Sequence, residues 1–193
     1  MRSAIFGGTF DPIHNAHLVV ARKAADEFRL GQVLVIPAAH PPHKAGVTHA
    51  PYAHRIRMAQ LACEGEARFA VSRLEEGTAR SYSIDTIEKL RATLSPADEL
   101  YFIIGADAFA EIRTWHRWED VIQAVCFIVV SRPGHIYDIP HGARVERLDS
   151  VDLPVSSSDI RRDLAAGKKP GEVPQRVLEY IFTYHLYGAR VTV

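Results

Sequence analysis

The chain has 193 residues, and its 23 lysines and arginines balance its 23 aspartates and glutamates. This length suits one domain with a sizeable core, and the zero net charge gives no sign of the basic stripe typical of nucleic-acid binding. No apolar stretch approaches a membrane span, and the N-terminus lacks the apolar core of a signal peptide. The two cysteines lie in apolar stretches, which favours buried free thiols in a reducing compartment. We therefore expect a single cytoplasmic domain over residues 1–193, with no nucleic-acid or membrane partner.

Four apolar runs predict strands that are buried on both faces, as in a parallel sheet covered by helices. Helical patterns lie between them, and such alternation is typical of a doubly wound α/β fold with a mainly parallel sheet. Ligands of these folds bind at the carboxyl ends of the strands. The predicted strands are residues 4–6, 33–36, 100–104 and 125–130; the predicted helices are 18–28, 52–63, 83–94, a helix between Ser156 and Gly167, and 174–187. We expect the helical part from about residue 156 to pack on the sheet domain. The inward residues of its last helix are expected to be Val177, Leu178, Ile181, Phe182 and Tyr184.

The segment after the first predicted strand carries two glycines, and two histidines stand where a helix begins. Glycine lets backbone N–H groups approach an anion closely, and a helix N-terminus adds oriented donors and partial positive charge. The sequence lacks the third glycine of the dehydrogenase fingerprint and the Gly-Lys-Ser/Thr of a Walker loop. Gly7 and Gly8 therefore predict a phosphate cradle, with a plain turn as the alternative. His14 and His17 lack the carboxylate of a His-Glu-x-x-His site, so we expect no metal site.

Two loops and the tail add to this pattern. Residues 38–50 show no periodicity, and a loop of this length in a compact domain is usually a functional lid. A second loop covers residues 132–142. Three serines from Ser156 predict a helix N-cap, and together with Arg161 they can instead form a second anion site. Two anion sites without an evident nucleophile favour direct phosphoryl or nucleotidyl transfer, which depends on positioning and charge stabilisation.

The glycine and histidine segment resembles the signature of the nucleotidyltransferase superfamily with a His-x-Gly-His core. The whole chain resembles the bacterial nicotinate-mononucleotide adenylyltransferases, through segments that span nearly its full length. These segments are residues 7–14, 41–44, 81–86, 105–107 with 114–118, and 155–161. The sequence departs from the family pattern at Ala16, where glycine is usual, and at Ser158, where threonine is usual.

The resemblance implies a Rossmann-like nucleotidyltransferase fold and transfer of AMP from ATP to nicotinate mononucleotide. The products are deamido-NAD and pyrophosphate, in NAD biosynthesis. We expect Mg²⁺ to arrive with ATP, because no Asp/Glu cluster indicates a dedicated site and Mg²⁺ commonly binds through substrate phosphates. Two alternatives stay open: a pantetheine-phosphate adenylyltransferase and a catalytically silent nucleotide sensor. The partners are then ATP and nicotinate mononucleotide, and a homo-oligomer stays open.

The resemblance also implies roles for individual residues. The catalytic set, which contacts the ATP phosphates, is His14, His17, Lys44 and Arg161. The remaining ATP-binding residues are Gly7, Gly8, Thr9, Phe10, Gly105, Asp107, Arg132, Ser156 and Ser157. The mononucleotide-binding residues are Thr86, Trp115 and His116. Trp115 is expected to stack on the pyridine ring, and Thr86 with nearby backbone N–H groups is expected to bind its carboxylate.

Overall fold

The structure is a computed structural model that describes residues 1–40, 48–131, 136–149 and 155–190. Its strands are β1 (Arg2–Gly8), β2 (Gln32–Pro37), β3 (Phe69–Val71), β4 (Glu99–Gly105), β5 (Cys126–Ser131) and β6 (Arg144–Asp149). They form one six-stranded sheet in the order β3-β2-β1-β4-β5-β6, and every neighbouring pair is parallel. The strand order reverses between β1 and β4, as in a Rossmann-like fold. The predicted fold class is confirmed.

The structure contains two strands that the apolar pattern did not predict. The four predicted strands are confirmed as β1, β2, β4 and β5. The additional strands, β3 and β6, lie at the two edges of the sheet. β3 has three residues, and β6 has the sequence RVERLD. Short or charged strands are typical of sheet edges, because they discourage pairing with another chain, and for the same reason they lack a continuous apolar run.

Helices cover both faces of the sheet. They are α1 (Asn15–Glu27), α2 (Tyr52–Cys63), α3 (Ser83–Arg91), α4 (Ala106–Ala110), α5 (Trp118–Ala124), α6 (Ser157–Ala165) and α7 (Gln175–Thr183), with short 3₁₀ turns at Ile112–Thr114 and Leu186–Gly188. One apolar cluster packs α1, α2, α6 and α7 on the face of Ala4, and a second packs α3, α4 and α5 on the face of Ile5. Successive strand residues point to opposite faces, which explains this division. No helix in the described ranges is long and apolar enough to cross a membrane.

The last helix is shorter than the sequence pattern predicts. α7 ends at Thr183, and His185 then adopts a left-handed φ of 50°, which turns the chain into the 3₁₀ segment. Val177 and Ile181 are buried as expected. The prediction that Tyr184 faces the core is wrong, because its side chain lies past the helix end and is 54% exposed.

Both cysteines are free thiols, as the composition predicts. Cys63 is buried in α2, and burial raises the pKa of its thiol to about 11. Cys126 is partly buried, and burial also raises the pKa of its thiol. A thiol with a raised pKa is a weak nucleophile, so neither cysteine is a candidate for covalent catalysis.

A buried arginine holds the loops at the carboxyl edge of the sheet. Arg55 of α2 is 1% exposed, and its guanidinium donates hydrogen bonds to backbone carbonyls. The accepting oxygens are those of Thr9 at 2.8 Å, Ala38 at 2.7 Å, Ala39 at 3.4 Å and Ala50 at 3.2 Å. Burial lowers the pKa of Arg55, and the negative charge of a nearby carboxylate opposes this effect. Arg55 thereby fixes the turn after β1 and both ends of the 38–50 loop.

We expect Arg55→Leu to lower the free energy of unfolding by about 3–5 kcal/mol, because the substitution leaves several buried carbonyls without donors. Urea denaturation followed by circular dichroism measures this loss. The matched control is Arg57→Leu, which changes an exposed arginine of the same helix. A loss for Arg55→Leu no larger than that of the control would show that these hydrogen bonds do not hold the loops.

Candidate active site

A cavity of about 530 Å³ opens at the carboxyl ends of β1 and β4. Its position matches the point of strand-order reversal, where doubly wound sheets bind ligands, and its volume is typical of small-molecule sites. Ile5, Phe102 and Ile104 form part of its apolar wall. Of the predicted site residues, it brings together Gly7, Gly8, Thr9, Thr86, Gly105, Trp115 and His116.

The turn after β1 requires glycine at one position. A Cβ on Gly8 would lie 2.9 Å from the ring of Phe10, closer than side-chain carbons approach one another. Phe10 has a left-handed φ of 49° and is 2% exposed. Its ring packs edge-on against Phe6 and His17. Phe10 can therefore contact ATP through its backbone, whereas its side chain belongs to the core.

The two histidines of the turn form a stacked pair. His14 is the N-cap of α1, and its ring lies 3.7 Å from that of His17, measured between centroids. The His14 backbone N–H donates to Nδ1 of His17 at 3.2 Å. A neutral His17 whose Nδ1 accepts a hydrogen bond carries its proton on Nε2. Neither ring lines the cavity, because the pair lies beside the Gly8–Phe10 turn on the α1 side.

His14 is held in its neutral form. It is 5% exposed, and burial lowers the pKa of its ring to about 4. Its Nδ1 atom is buried and has no hydrogen-bond partner among the described residues. An unpaired buried polar atom is costly, and protonation of the buried ring would add a charge to that cost. At neutral pH, His14 therefore offers an uncharged N–H donor.

The start of α6 is docked on the same turn. Ser156 is its N-cap, and the Ser156 Oγ accepts a backbone N–H at 3.1 Å, which confirms the predicted cap. The Ser157 Oγ donates to the carbonyl of Pro12 at 3.0 Å. Arg161 donates from Nη1 to the carbonyl of Asp11 at 2.7 Å. The structure thus brings Ser157 and Arg161 to the residues that lead into His14, and the guanidinium of Arg161 keeps further N–H donors for a ligand.

The opposite wall of the cavity is aromatic. Trp115 packs edge-on against Phe102, with 6.0 Å between ring centroids. His116 is exposed, and its ring packs at a tilt of 30° against that of Tyr82, with centroids 4.3 Å apart. Sequence reasoning missed Tyr82 and Phe102 as lining residues. Tyr82 lies inside the segment that carries the family resemblance, which was the available signal, whereas Phe102 reads as an ordinary core residue of a strand.

The side chain of Thr86 is hydrogen-bonded to Glu75, a further residue that sequence reasoning missed. The Thr86 hydroxyl donates to Oε1 of Glu75 at 3.0 Å, and the Thr86 N–H donates to the carbonyl of Tyr82 at 3.3 Å. Oε2 of Glu75 accepts the N–H of Ala39 at 3.2 Å. Glu75 is 8% exposed. The donors available to an anion here are therefore the first-turn N–H groups of α3, beginning at Ser83.

Two of the predicted ATP-binding residues lie at the start of the helix that follows β4. Gly105 is the N-cap of the short helix α4, and Asp107 is exposed in its first turn. Lys44 and Arg132 lie outside the described residues. Within the described ranges, no group of three His, Cys, Asp or Glu side chains has the arrangement of a metal site.

The model of the cytidylyltransferase-like family matches residues 5–163, which include the glycine turn, both histidines and Arg161. A probable nicotinate-nucleotide adenylyltransferase of Solibacter usitatus is 68% identical to this chain, over 97% of the chain and 100% of the relative. The chain belongs to the cytidylyltransferase-like family, in its nicotinate-nucleotide adenylyltransferase branch. A further probable member of this branch, from Exiguobacterium sibiricum, is 40% identical over 97% of the chain and 100% of the relative.

The fold of this family member is also found in solved structures. A Plasmodium falciparum nicotinic acid mononucleotide adenylyltransferase complexed with NaAD superposes with a TM-score of 0.80, and 97% of each chain is covered. The two sequences are 20% identical, so this likeness concerns the fold. Its agreement along the whole chain supports the topology described above.

The lowered pKa of His14 predicts how stability depends on pH. The unfolded chain takes up a proton near pH 6.5, whereas the folded chain resists protonation down to about pH 4. The stabilisation is thus complete above pH 6.5 and is lost as the pH falls toward 4, by about 3 kcal/mol in total. Urea unfolding between pH 7 and 4 should show a steeper loss for the native chain than for His14→Phe. In an NMR titration, ring resonances of His14 that move near pH 6.5 would contradict this prediction.

Proposed function

We propose that this chain transfers the adenylyl group of ATP to the phosphate of nicotinate mononucleotide, which forms deamido-NAD and releases pyrophosphate. The observation that carries the proposal is one cavity whose aromatic wall meets a glycine turn beside two histidines and a docked arginine. The 68% identity to a probable nicotinate-nucleotide adenylyltransferase supports the same activity. The nucleophile is the phosphate of the mononucleotide, so the protein needs none of its own.

In this reaction an oxygen of the mononucleotide phosphate attacks the α-phosphorus of ATP, and the bond to the β-phosphate oxygen breaks. The electron pair leaves with pyrophosphate. Catalysis of this kind depends on orientation and on donors aimed at the developing negative charge. We assign that task to Nε2 of His17, to neutral His14 and to the backbone donors of the Gly7–Thr9 turn. Both rings are held in place before the substrate arrives, by their stacking and by the His14 N–H contact.

The leaving group is proposed to lie against α6. Arg161 is tied to the turn before His14 and to Ser158, and its remaining guanidinium N–H groups are proposed to contact pyrophosphate. The Ser157 hydroxyl already donates to Pro12, so Ser157 is proposed to contact the same phosphates through its backbone N–H. Lys44 is proposed to contact the same phosphates. Arg132, with Gly105 and Asp107, is proposed to contact adenosine.

Magnesium is proposed to enter as the complex with ATP. No cluster of carboxylates among the described residues fits a resident cation, and Mg²⁺ commonly binds through phosphates. When bound, the ion neutralises charge on the phosphates. The cytoplasm is the proposed location, which the two free thiols and the biosynthetic role of the branch support.

An assay of pyrophosphate release tests the function against both alternatives. With ATP and Mg²⁺, we expect release with nicotinate mononucleotide and none with phosphopantetheine. Release with phosphopantetheine alone would identify a pantetheine-phosphate adenylyltransferase. Binding of ATP without release for any acceptor would identify a silent nucleotide sensor.

We expect His17→Ala to lower kcat by about 10²–10³ with the fold intact, because it removes one preorganised donor to the transition state. Steady-state pyrophosphate release measures the rate, and circular dichroism checks the fold. His141→Ala, which changes an exposed histidine away from the turn, is the control and should match the native rate. Activity of a folded His17→Ala enzyme within threefold of the native value would remove His17 from the mechanism.

We expect a preference for nicotinate over nicotinamide mononucleotide. The start of α3 presents N–H donors and partial positive charge to the cavity, which favours a carboxylate over a carboxamide by roughly 1–3 kcal/mol. The ratio of kcat/KM for the two mononucleotides measures this preference. Trp115→Ala should weaken both substrates without reversing their order, because stacking does not distinguish them. A native ratio near one would be incompatible with the proposed carboxylate contact.

A further inference from the structure

A buried carboxylate joins three distant parts of the chain beside the histidine turn. Asp11 is 3% exposed. Its Oδ2 accepts the N–H of His49 at 2.6 Å, and its Oδ1 accepts the N–H of Ala50 at 3.1 Å. The third donor is the hydroxyl of Tyr187, at 2.7 Å from Oδ1 and 176 residues along the chain. A buried carboxylate needs such donors, since desolvation without them is very costly.

Tyr187 adopts an unusual backbone conformation that allows this contact. It has φ 58° and ψ 23° inside the 3₁₀ turn Leu186–Gly188. Left-handed angles are disfavoured for residues other than glycine and persist where surrounding contacts hold them. Burial and the neighbouring Asp11 charge raise the pKa of the Tyr187 phenol, so its hydroxyl stays a proton donor. The last turn of the described chain is thus shaped to deliver one hydroxyl to Asp11.

The position of Asp11 connects this contact with the proposed ATP phosphates. The carbonyl of Asp11 accepts the guanidinium of Arg161, and the next carbonyl, of Pro12, accepts the hydroxyl of Ser157. His14 follows three residues after Asp11. A shift of the Asp11 side chain therefore moves the peptide that carries the α6 contacts and leads into the histidine pair.

We propose that Tyr187 is a positioning residue of the ATP phosphate site, because its hydroxyl fixes the Asp11 carboxylate and, through it, the turn that presents His14 and His17. The inference rests on the proposed placement of the ATP phosphates at this turn. Tyr187 does not line the cavity and does not touch the proposed reacting atoms. Tyr187 packs against the apolar cluster on the face of Ala4, whereas Tyr82 and Trp115 pack against the cluster on the face of Ile5.

The test is Tyr187→Phe, which removes the hydroxyl and keeps the ring. We expect the Kd for MgATP, measured by calorimetry, and the KM for ATP to rise about tenfold, as for loss of a hydrogen bond to a charged group. The Kd for nicotinate mononucleotide should stay within about twofold. The matched control is Tyr184→Phe, which changes an exposed tyrosine at the end of α7 and should alter neither constant.

The comparison of the Kd for MgATP with the Kd for nicotinate mononucleotide distinguishes a positioning role from a purely structural one. A purely structural contact would lower the active fraction and hence kcat, without raising the KM for ATP. A folded Tyr187→Phe protein with a native Kd for MgATP, or with equal weakening of both ligands, would overturn the proposal. If Tyr187→Phe does not fold, Asp11→Asn takes its place and should show the same weakening selective for ATP. Failure of both variants to fold would assign the contact to the fold alone and also overturn it.

These measurements separate the inference from the proposed function. If the native protein binds MgATP but releases no pyrophosphate with nicotinate mononucleotide, the proposed reaction fails, and the Kd comparison still decides the role of Tyr187. If pyrophosphate is released and the Kd for MgATP does not change in Tyr187→Phe, the reaction stands and the positioning role is wrong.

Discussion

The site depends on two buried charges of opposite sign that satisfy the backbone at the carboxyl edge of the sheet. Arg55 donates hydrogen bonds to backbone carbonyl oxygens, and Asp11 accepts hydrogen bonds from backbone N–H groups. Ala50 serves both, because its carbonyl accepts from Arg55 and its N–H donates to Asp11. Loop backbone without regular secondary structure needs such partners when it is buried. These two side chains supply the hydrogen bonds that a strand or helix would otherwise provide. They hold the turn after β1 and the two ends of the 38–50 loop around the proposed phosphate site.

The two halves of the proposed substrate site come from the two layers that cover the sheet. The histidine turn belongs with α1 and α6 on one face, whereas the aromatic wall belongs with α3 and the turn before α5 on the other. The two halves meet where β1 and β4 end, because the connections that follow these two strands lead to opposite faces of the sheet. A substrate that spans both halves therefore contacts both layers, which Glu75 joins through its hydrogen bonds with Thr86 and Ala39.

Much of the fold could be predicted from the sequence, and so could the turn that begins at Gly7. Apolar runs mark the four central strands because both faces of those strands are buried. The edge strands β3 and β6 escape this pattern, since an edge has fewer apolar neighbours. Glu75 and Tyr187 could not be predicted, because their roles arise from partners 11 and 176 residues away. No local sequence pattern indicates such distant contacts, and an isolated glutamate or tyrosine is typical of a surface position.

The bond between Thr86 and Glu75 has an evolutionary consequence. With the threonine hydroxyl occupied, the proposed selection between acid and amide falls to main-chain N–H groups at the start of α3. Every amino acid except proline supplies such a group. Drift in the side chains around this pocket can therefore alter its shape and affinity while the proposed preference for an anion persists. In this proposal, the choice of ligand is inherited with the backbone.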